Sequence, residues 1–305
     1  GWEQHSLAVY PHYATESDLH TVAPWLNGRG IPIPAQPLDI DGQPRDNITP
    51  DIGADEFTPD PQTTVPMIGD YDIGGVLYPT IQSAVDDIVL KGVRGPVNFI
   101  LEGTYNEQVN IVSIPGANSR QPVTFRNFSN VPSLAEITYS ATNTDSNFVI
   151  RTYGADFLIF KDLTITATGN QYARVFDLYK GSDSLVIQNN TLNSVAASGS
   201  DADKTIIYSK ESLSRSRLIQ DNTLNEGAYG ILLSRDHPNI GHPTGLRIVN
   251  NTITNNGYTG LYLYYQDGMK VIGNQIDANH VGMLALYCDS AIVIEKNQLD
   301  VTYDY

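Results

Sequence analysis

Short stretches of alternating apolar and polar residues recur through the second half of the chain. Their shared frame is apolar, any residue, apolar, two residues, asparagine, one residue, apolar. The copies are LVIQNNTL, RLIQDNTL, LRIVNNTI, MKVIGNQI and IVIEKNQL, of which the second has Arg217 in the first apolar position. The asparagines of these five copies are Asn190, Asn222, Asn251, Asn274 and Asn297. Repeats with periods of about 20 to 50 residues are typical of stacked architectures, and the composition of these segments favours strands over helices.

The repeat predicts an all-β chain folded as a right-handed parallel β-helix with three strands per coil. Successive coils would stack about 4.8 Å apart, so that identical turns lie in register. The asparagines would then face inward at one corner and hydrogen-bond to neighbouring coils, each bond contributing about 0.5–1.5 kcal/mol. We interpret them as a structural ladder.

One segment before the repeats has helical spacing instead. Its apolar residues follow the i, i+3, i+4, i+7, i+8 pattern of a single helix face. These residues are Ile81, Ala84, Val85, Ile88 and Val89. The pattern predicts an N-terminal capping helix that covers the open end of the first coil.

Two strings resemble known sequences. DLHTVAPWLNGRGIPIPAQPLDIDGQPRDNITPDIGADEF resembles the closing segment of bacterial secreted right-handed β-helix proteins of the choice-of-anchor type, which end in DxDGxxR…DIGAxE. YPTIQSAVDDIVLKGVRGPVNFILEGTYNEQVNI is similar to the start of pectate-lyase-like β-helices. The chain departs from the first pattern at Ala23-Pro24 and Gly28-Arg29-Gly30, where that family has Ser-Pro and Ala-Gly. The resemblance implies a secreted or cell-surface bacterial protein, but the family's activities are diverse and do not fix a function.

The resemblance also suggests how the chain is divided. Residues 1–57 are expected to close a preceding β-helix-type module, and residues 58–78 are expected to form a Pro/Thr-rich linker. Residues 79–305 would form the next parallel β-helix, truncated at its C-terminal end. Neighbouring domains of the same chain are therefore expected partners.

Charge and composition exclude several partners. The formal net charge of −16 disfavours nucleic acid and anionic membranes, since both would be repelled. Membrane insertion is not expected, because no apolar run approaches the length of a membrane span. The single cysteine, Cys288, excludes an internal disulfide framework.

Acidic residues crowd the segment from Asp39 to Glu56, and loops dense in carboxylates can hold calcium. Asp39, Asp41 and Asp46 are the candidate ligands. The segment lacks the bidentate glutamate of a calcium loop, and Arg45 could instead neutralise two aspartates.

A candidate binding face follows from aligning the second strand of each coil on its pair of inward residues. The pairs are Phe148/Ile150, Phe176/Leu178, Ile206/Tyr208, Ile231/Leu233, Leu261/Leu263 and Met283/Ala285. Two residues past each pair, the column reads Thr152, Lys180, Lys210, Arg235, Tyr265 and Tyr287. Two longer connections, 194–203 and 236–245, would wall the strip. Tyr262 and Tyr264 lie beside it, and aromatic rings with cations suit an acidic polysaccharide.

Three functions remain open at this stage. The favoured prediction is a module that binds anionic polysaccharide or acts in adhesion along a β-helix face. The second is a polysaccharide lyase acting on uronates, with calcium as an expected aid and with Lys210, Arg235, His237 and His242 as candidate acid–base residues. The third is a non-catalytic structural spacer.

Overall fold

The computed structural model describes residues 7, 9–15, 17–210, 213–235 and 241–302. Within this part of the chain lie one α-helix, α1 (Ile81–Lys91), and two short 3₁₀ segments, Pro132–Leu134 and Ala202–Lys204. No helix of the described residues is long and apolar enough to cross a membrane. The remaining regular structure is β-strand.

The strands form three parallel sheets, and the chain visits them in the order A, B, C in each coil. Sheet A contains β1 (Met67–Asp72), β2 (Val93–Leu101), β5 (Val123–Asn127), β8 (Leu158–Lys161), β11 (Val186–Gln188), β14 (Leu218–Gln220), β17 (Arg247–Val249), β20 (Lys270–Ile272) and β23 (Val293–Glu295). Sheet B contains β3 (Gly103–Asn106), β6 (Ala135–Tyr139), β9 (Thr164–Ala167), β12 (Thr191–Asn193), β15 (Thr223–Asn225), β18 (Thr252–Asn256), β21 (Gln275–Ala278) and β24 (Gln298–Val301). Sheet C contains β4 (Val109–Val112), β7 (Ile150–Tyr153), β10 (Phe176–Tyr179), β13 (Thr205–Ser209), β16 (Tyr229–Leu233), β19 (Thr259–Tyr264) and β22 (Val281–Leu286). The predicted three-strand coil and the right-handed parallel β-helix are confirmed.

The asparagine ladder lies at the corner between sheets A and B. Asn190 Nδ2 donates to Oδ1 of Asn222 at 3.0 Å, and the same bond links Asn222 to Asn251. Asn251 to Asn274 and Asn274 to Asn297 continue the series at 2.9 Å. Each Oδ1 also accepts from the backbone N–H of the preceding asparagine, so inward polar groups at this corner are paired across coils.

The residue before each ladder position has a left-handed backbone, which turns the chain from sheet A to sheet B within two residues. The positions are Asp162, which precedes Leu163 at the equivalent place one coil before Asn190, and then Asn189, Asp221, Asn250, Gly273 and Lys296. Four of the six are Asp or Asn, the non-glycine residues that tolerate this conformation best. The local sequence therefore favours the sharp corner that the ladder needs.

The core fills the interior of the coils with stacked columns of apolar side chains. In the first coils Phe99, Phe125 and Phe160 form a column with ring centroids 5.1 and 5.2 Å apart. Further along the same column on sheet A, Ile187 and Ile219 follow Phe160 in register, and both are buried. Parallel, in-register strands thus place like residues above one another, and burial of these columns is the main stabilising contribution.

The predicted capping helix is present, and the apolar stripe from Ile81 to Val89 is buried. Thr80 caps it by accepting a hydrogen bond from the backbone N–H of Ser83. The N-terminal segment packs on the other end of the helix, where Trp25 Nε1 donates to the carbonyl of Lys91 at 3.1 Å. That residues 1–57 close a preceding module stays a prediction.

The predicted linker, residues 58–78, is wrong over part of its length. Residues 67–72 form β1, which pairs in parallel with β2 and begins sheet A. The sequence MIGDYD gave little sign of a strand, because glycine and aspartate are depleted in strands. β1 is an edge strand in which Met67 alone is buried, so backbone pairing rather than apolar burial holds most of it in place.

Candidate functional site

The strand register of sheet C corrects the predicted column. Ile207, not Ile206, pairs with Phe176 and Ile231, and Thr152 pairs with Leu178. Thr152 is therefore an inward residue, fully buried, and hydrogen-bonds to Ser182 at 2.6 Å. The corner positions after the strands are instead occupied by Gly154, Lys180, Arg235, Tyr265 and Tyr287, of which all except Arg235 have positive φ.

The predicted exposed row of cations does not form. Arg235 occupies the expected corner but is 5% exposed, so its guanidinium is not available on the surface. Lys210 is exposed, but it lies one position before that corner. Lys180 is also exposed and sits over the rings of Tyr153 and Tyr179, at 5.3 and 5.9 Å from their centroids. Lys180 and Lys210 therefore do not lie in one column of side chains.

Lys210 instead borders a groove on the outer face of sheet C. In β13, β16 and β19 the inward residues Ile207, Ile231 and Leu261 are fully buried. The residues that follow them along the strands face outward and are in register across the three coils. The resulting depression of about 450 Å³ is lined by Ala202, Tyr208, Lys210, Tyr229, Leu232, Ser234, Tyr262 and Tyr264.

A continuous run of aromatic rings, here called the tyrosine strip, extends along this face. It consists of Tyr229, Tyr258, Tyr262, Tyr264, Tyr265 and Tyr287. Neighbouring ring centroids are 4.5 to 6.5 Å apart. Tyr287 is 63% exposed at one end, whereas Tyr229 is 7% exposed beneath the groove. The tyrosine strip is therefore buried at Tyr229 and accessible to solvent at Tyr287.

Three residues of this face escaped the sequence prediction. Tyr208 was placed inward by the one-residue error in register, whereas its ring lines the groove beneath the guanidinium of Arg174, 3.7 Å away. Tyr229 and Tyr258 precede the strands that the pattern identified. A signal was available, because both lie between paired glycines, in GAYG and GYTG. Burial raises the pKa of Tyr208 and of Tyr229, so both stay neutral hydrogen-bonding groups at physiological pH.

The connection 194–203 forms one wall of the groove, as its length suggested. Ala197 and Ala202 pack against the tyrosines from this side. Gly257 makes the close approach possible, because a Cβ at this position would meet the carbonyl oxygen of Ala197 at 1.8 Å. The Arg174 to Asp203 ion pair, at 2.6 Å, ties the end of the connection to the adjacent coil.

The other predicted wall, 236–245, is described from residue 241 onward, and His237 lies outside the described residues. The ring of His242 packs at a tilt of 38° against that of Tyr265, with ring centroids 5.0 Å apart. Its Nδ1 lies 3.0 Å from Oδ2 of Asp267, and Asp289 is close to both. His242 therefore sits at the corner beyond sheet C and lines a different depression from Lys210.

Comparison with known families supports the same fold. Residues 175–304 match the family model described as right handed beta helix region. No curated protein matches the chain. The matched region contains β10 to β24 and the whole tyrosine strip. A β-helix of this kind is consistent with a carbohydrate-related or a structural module.

The acidic N-terminal segment is organised differently from the predicted calcium loop. Asp39 accepts hydrogen bonds from three backbone N–H groups, those of Asp41, Gln43 and Glu56. Asp46 accepts from the N–H groups of Thr49 and Ile48, which lower its pKa. These carboxylates shape the turns. The structure does not group Asp39, Asp41 and Asp46 as one cluster of potential ligand atoms, and calcium binding by this set stays a prediction.

Asp41 belongs to a second cluster, which the sequence did not reveal. Its Oδ2 lies 3.1 Å from Nε2 of His20. On the other side of the ring, Nδ1 of His20 lies 2.5 Å from Oδ1 of Asp18. The side-chain hydrogen bonds to Asp18 and Asp41 raise the pKa of His20 to about 9. Asp55 completes the cluster.

Proposed function

We propose that the chain binds a polysaccharide in the groove of sheet C. The run of rings from Tyr229 to Tyr287 is the observation that carries this proposal. Sugar rings have apolar C–H faces that stack on aromatic side chains, while their hydroxyls need polar partners at the rim. Ser234, Lys210 and the tyrosine hydroxyls supply these partners. Retention of a glycan on a secreted or cell-surface bacterial protein in this way would also support adhesion.

Lys210 favours an anionic sugar. It is the cation that lines the groove among the described residues. If the ring of a uronate sugar stacks on Tyr262 or Tyr264, its carboxylate can lie near the Lys210 ammonium group, because all three residues line the groove. The net charge of −16 repels polyanions at long range, so binding would be weak. The attraction between the Lys210 ammonium and a sugar carboxylate is screened by salt, so added salt would weaken binding further.

The lyase alternative is less well supported by this arrangement. Lys210 could take a proton from a bound uronate. However, Arg235, the second predicted catalytic cation, is buried, and His242 lines another depression. A glycosidase is also disfavoured, because no carboxylate is found among the described residues that line the groove, and glycoside hydrolysis needs two.

Affinity electrophoresis in gels containing polygalacturonate tests the proposal, with a neutral glucan as the comparison. The parent protein should be retarded by polygalacturonate at low salt, and Tyr264→Ala should reduce this retardation several-fold. Tyr262→Ala should act in the same direction, with its melting temperature measured in parallel because Tyr262 also packs on Tyr229.

The matched control is Tyr179→Ala. Tyr179 is 41% exposed on the same sheet and pairs with Tyr153 beneath Lys180, outside the groove. Retardation that disappears in this control and survives in Tyr264→Ala would place binding elsewhere. A parent protein that is not retarded by either polymer would leave the structural spacer as the better account. Absorbance from unsaturated products would favour the lyase.

A further inference from the structure

The acidic segment uses most of its carboxylates to hold its own backbone. Asp51 accepts from the N–H groups of Gly28 and Phe57 and from the amide of Asn27. Glu56 accepts from the N–H groups of Asp46 and Asp51 and lies 3.7 Å from Arg45. With Asp39 and Asp46 engaged in the same way, two aspartates of the segment have no such role. They are Asp41 and Asp55, and both face His20.

Asp55 is the unusual member of the pair. It is 6% exposed, yet its carboxylate makes no hydrogen bond or ion pair with the described residues. A carboxylate on a residue that is this little exposed is stabilised by a neighbouring positive charge. Its oxygen lies within 4.8 Å of ligand atoms on both His20 and Asp41. A cation placed between the three groups would supply the missing partner.

The histidine is already oriented for such a cation. Nδ1 of His20 bonds to Asp18, so Nε2 points toward Asp41 and Asp55, and a cation bound there would replace the proton that Nε2 shares with Asp41. Carboxylates that accept from the far nitrogen of a metal-binding imidazole fix its tautomer and ring orientation in this way. Asp18 is therefore a positioning residue, and His20, Asp41 and Asp55 present one nitrogen and two carboxylates.

We propose that His20, Asp41 and Asp55 form a binding site for a divalent transition-metal ion such as zinc. An imidazole nitrogen with carboxylates suits zinc and its neighbours, whereas calcium prefers six to eight oxygen ligands. The ion would join three stretches of chain that are distant in sequence, around residues 20, 41 and 55. The site is independent of the groove on sheet C, and the proposal does not rest on the proposed function.

Isothermal titration calorimetry with zinc chloride, on the 305-residue chain free of any histidine tag, tests the site. The parent protein should bind one zinc ion with a micromolar or lower dissociation constant. His20→Ala and Asp55→Asn should each weaken binding at least about tenfold through loss of a ligand. Asp18→Ala should keep the stoichiometry and weaken binding by roughly 10- to 100-fold, as expected for an outer-shell partner.

Thermal unfolding with and without zinc separates loss of the site from loss of the fold. Asp55→Asn should melt at or above the temperature of the metal-free parent, because a buried charge is removed, but the rise in melting temperature with zinc should vanish. His242→Ala is the matched control, since His242 also lies beside two aspartates. Zinc binding that is lost in this control and kept in His20→Ala would overturn the proposal. So would the absence of stoichiometric binding, or a preference for calcium that ignores His20.

Discussion

Asn251 Nδ2 donates a 2.9 Å hydrogen bond to Oδ1 of Asn274, its counterpart one coil further along the helix. The same amide group donates to the carbonyl of Ile219 in the preceding coil. Asn251 thus joins three successive coils from a side chain that is fully buried. Such an internal residue contributes through bonds that water cannot replace.

Replacement of Asn251 by leucine should lower the free energy of unfolding by about 1–3 kcal/mol, because buried backbone and amide groups lose their partners. Chemical denaturation followed by circular dichroism measures the change. Gln275→Leu is the control, as Gln275 is exposed on the neighbouring strand and should shift stability by less than about 0.5 kcal/mol. Equal effects of the two substitutions would contradict the role of the ladder.

The corner before the ladder gives a second prediction. Asn250 has a φ of 53°, a left-handed conformation that a β-branched residue adopts poorly. Asn250→Val should therefore destabilise the protein by about 1–2 kcal/mol. Asn250→Gly should be neutral or slightly stabilising, since Gly273 already occupies the same position in the next coil. Two variants of similar stability would show that the corner can rearrange.

A third prediction concerns alkaline pH. Burial, and then the hydrogen bond to Asp87, raise the pKa of Tyr78 above its ordinary value of 10.0. The folded protein keeps this phenol neutral, whereas the unfolded chain ionises it above pH 10. Stability from Tyr78 is thus complete below that pH and falls as the pH rises further, by up to about 1.4 kcal/mol per pH unit.

Denaturation midpoints measured between pH 8 and pH 11 test this effect. Tyr78→Phe should be less stable than the parent at pH 8, because Asp87 loses its hydrogen-bond donor, but should show a shallower decline above pH 10. Tyr10→Phe is a suitable control, since Tyr10 is 48% exposed. An unchanged pH dependence in Tyr78→Phe would contradict the assignment.

The sequence revealed those features that repeat. The ladder asparagines could be found because one turn recurs at each coil and its spacing survives changes in the connections. The apolar face of α1 was equally predictable, because the apolar residues from Ile81 to Val89 follow the periodicity of an α-helix. β1 could not be read in this way, because an edge strand that depends on backbone pairing leaves little apolar signal.

The binding face was only partly predictable, because it depends on register and on distant contacts. In TIIYSK both Ile206 and Ile207 are apolar, and both are fully buried in the structure, so the pattern allowed a slip of one residue. That slip placed Lys210 in the wrong column and hid Tyr208. The cluster of His20, Asp41 and Asp55 depends on chain folding alone, since nothing in the local sequence connects its members.

The register of sheet C gives different roles to Lys210 and Arg235, which the sequence analysis had placed in one column. Lys210 is exposed at the groove, so Lys210→Ala should leave the melting temperature within about a degree of the parent. The same change should reduce retardation by polygalacturonate and leave any interaction with a neutral glucan unaltered, because it removes the ammonium group and keeps the tyrosine strip.

Arg235 is 5% exposed, and Arg235→Ala should instead lower the free energy of unfolding by about 0.5–3 kcal/mol through lost packing. At a temperature where this variant is still folded, its retardation should match that of the parent. Differential scanning calorimetry and affinity electrophoresis on both variants test these different roles of Lys210 and Arg235. If folded Arg235→Ala loses retardation while Lys210→Ala keeps it, Arg235 and not Lys210 governs binding.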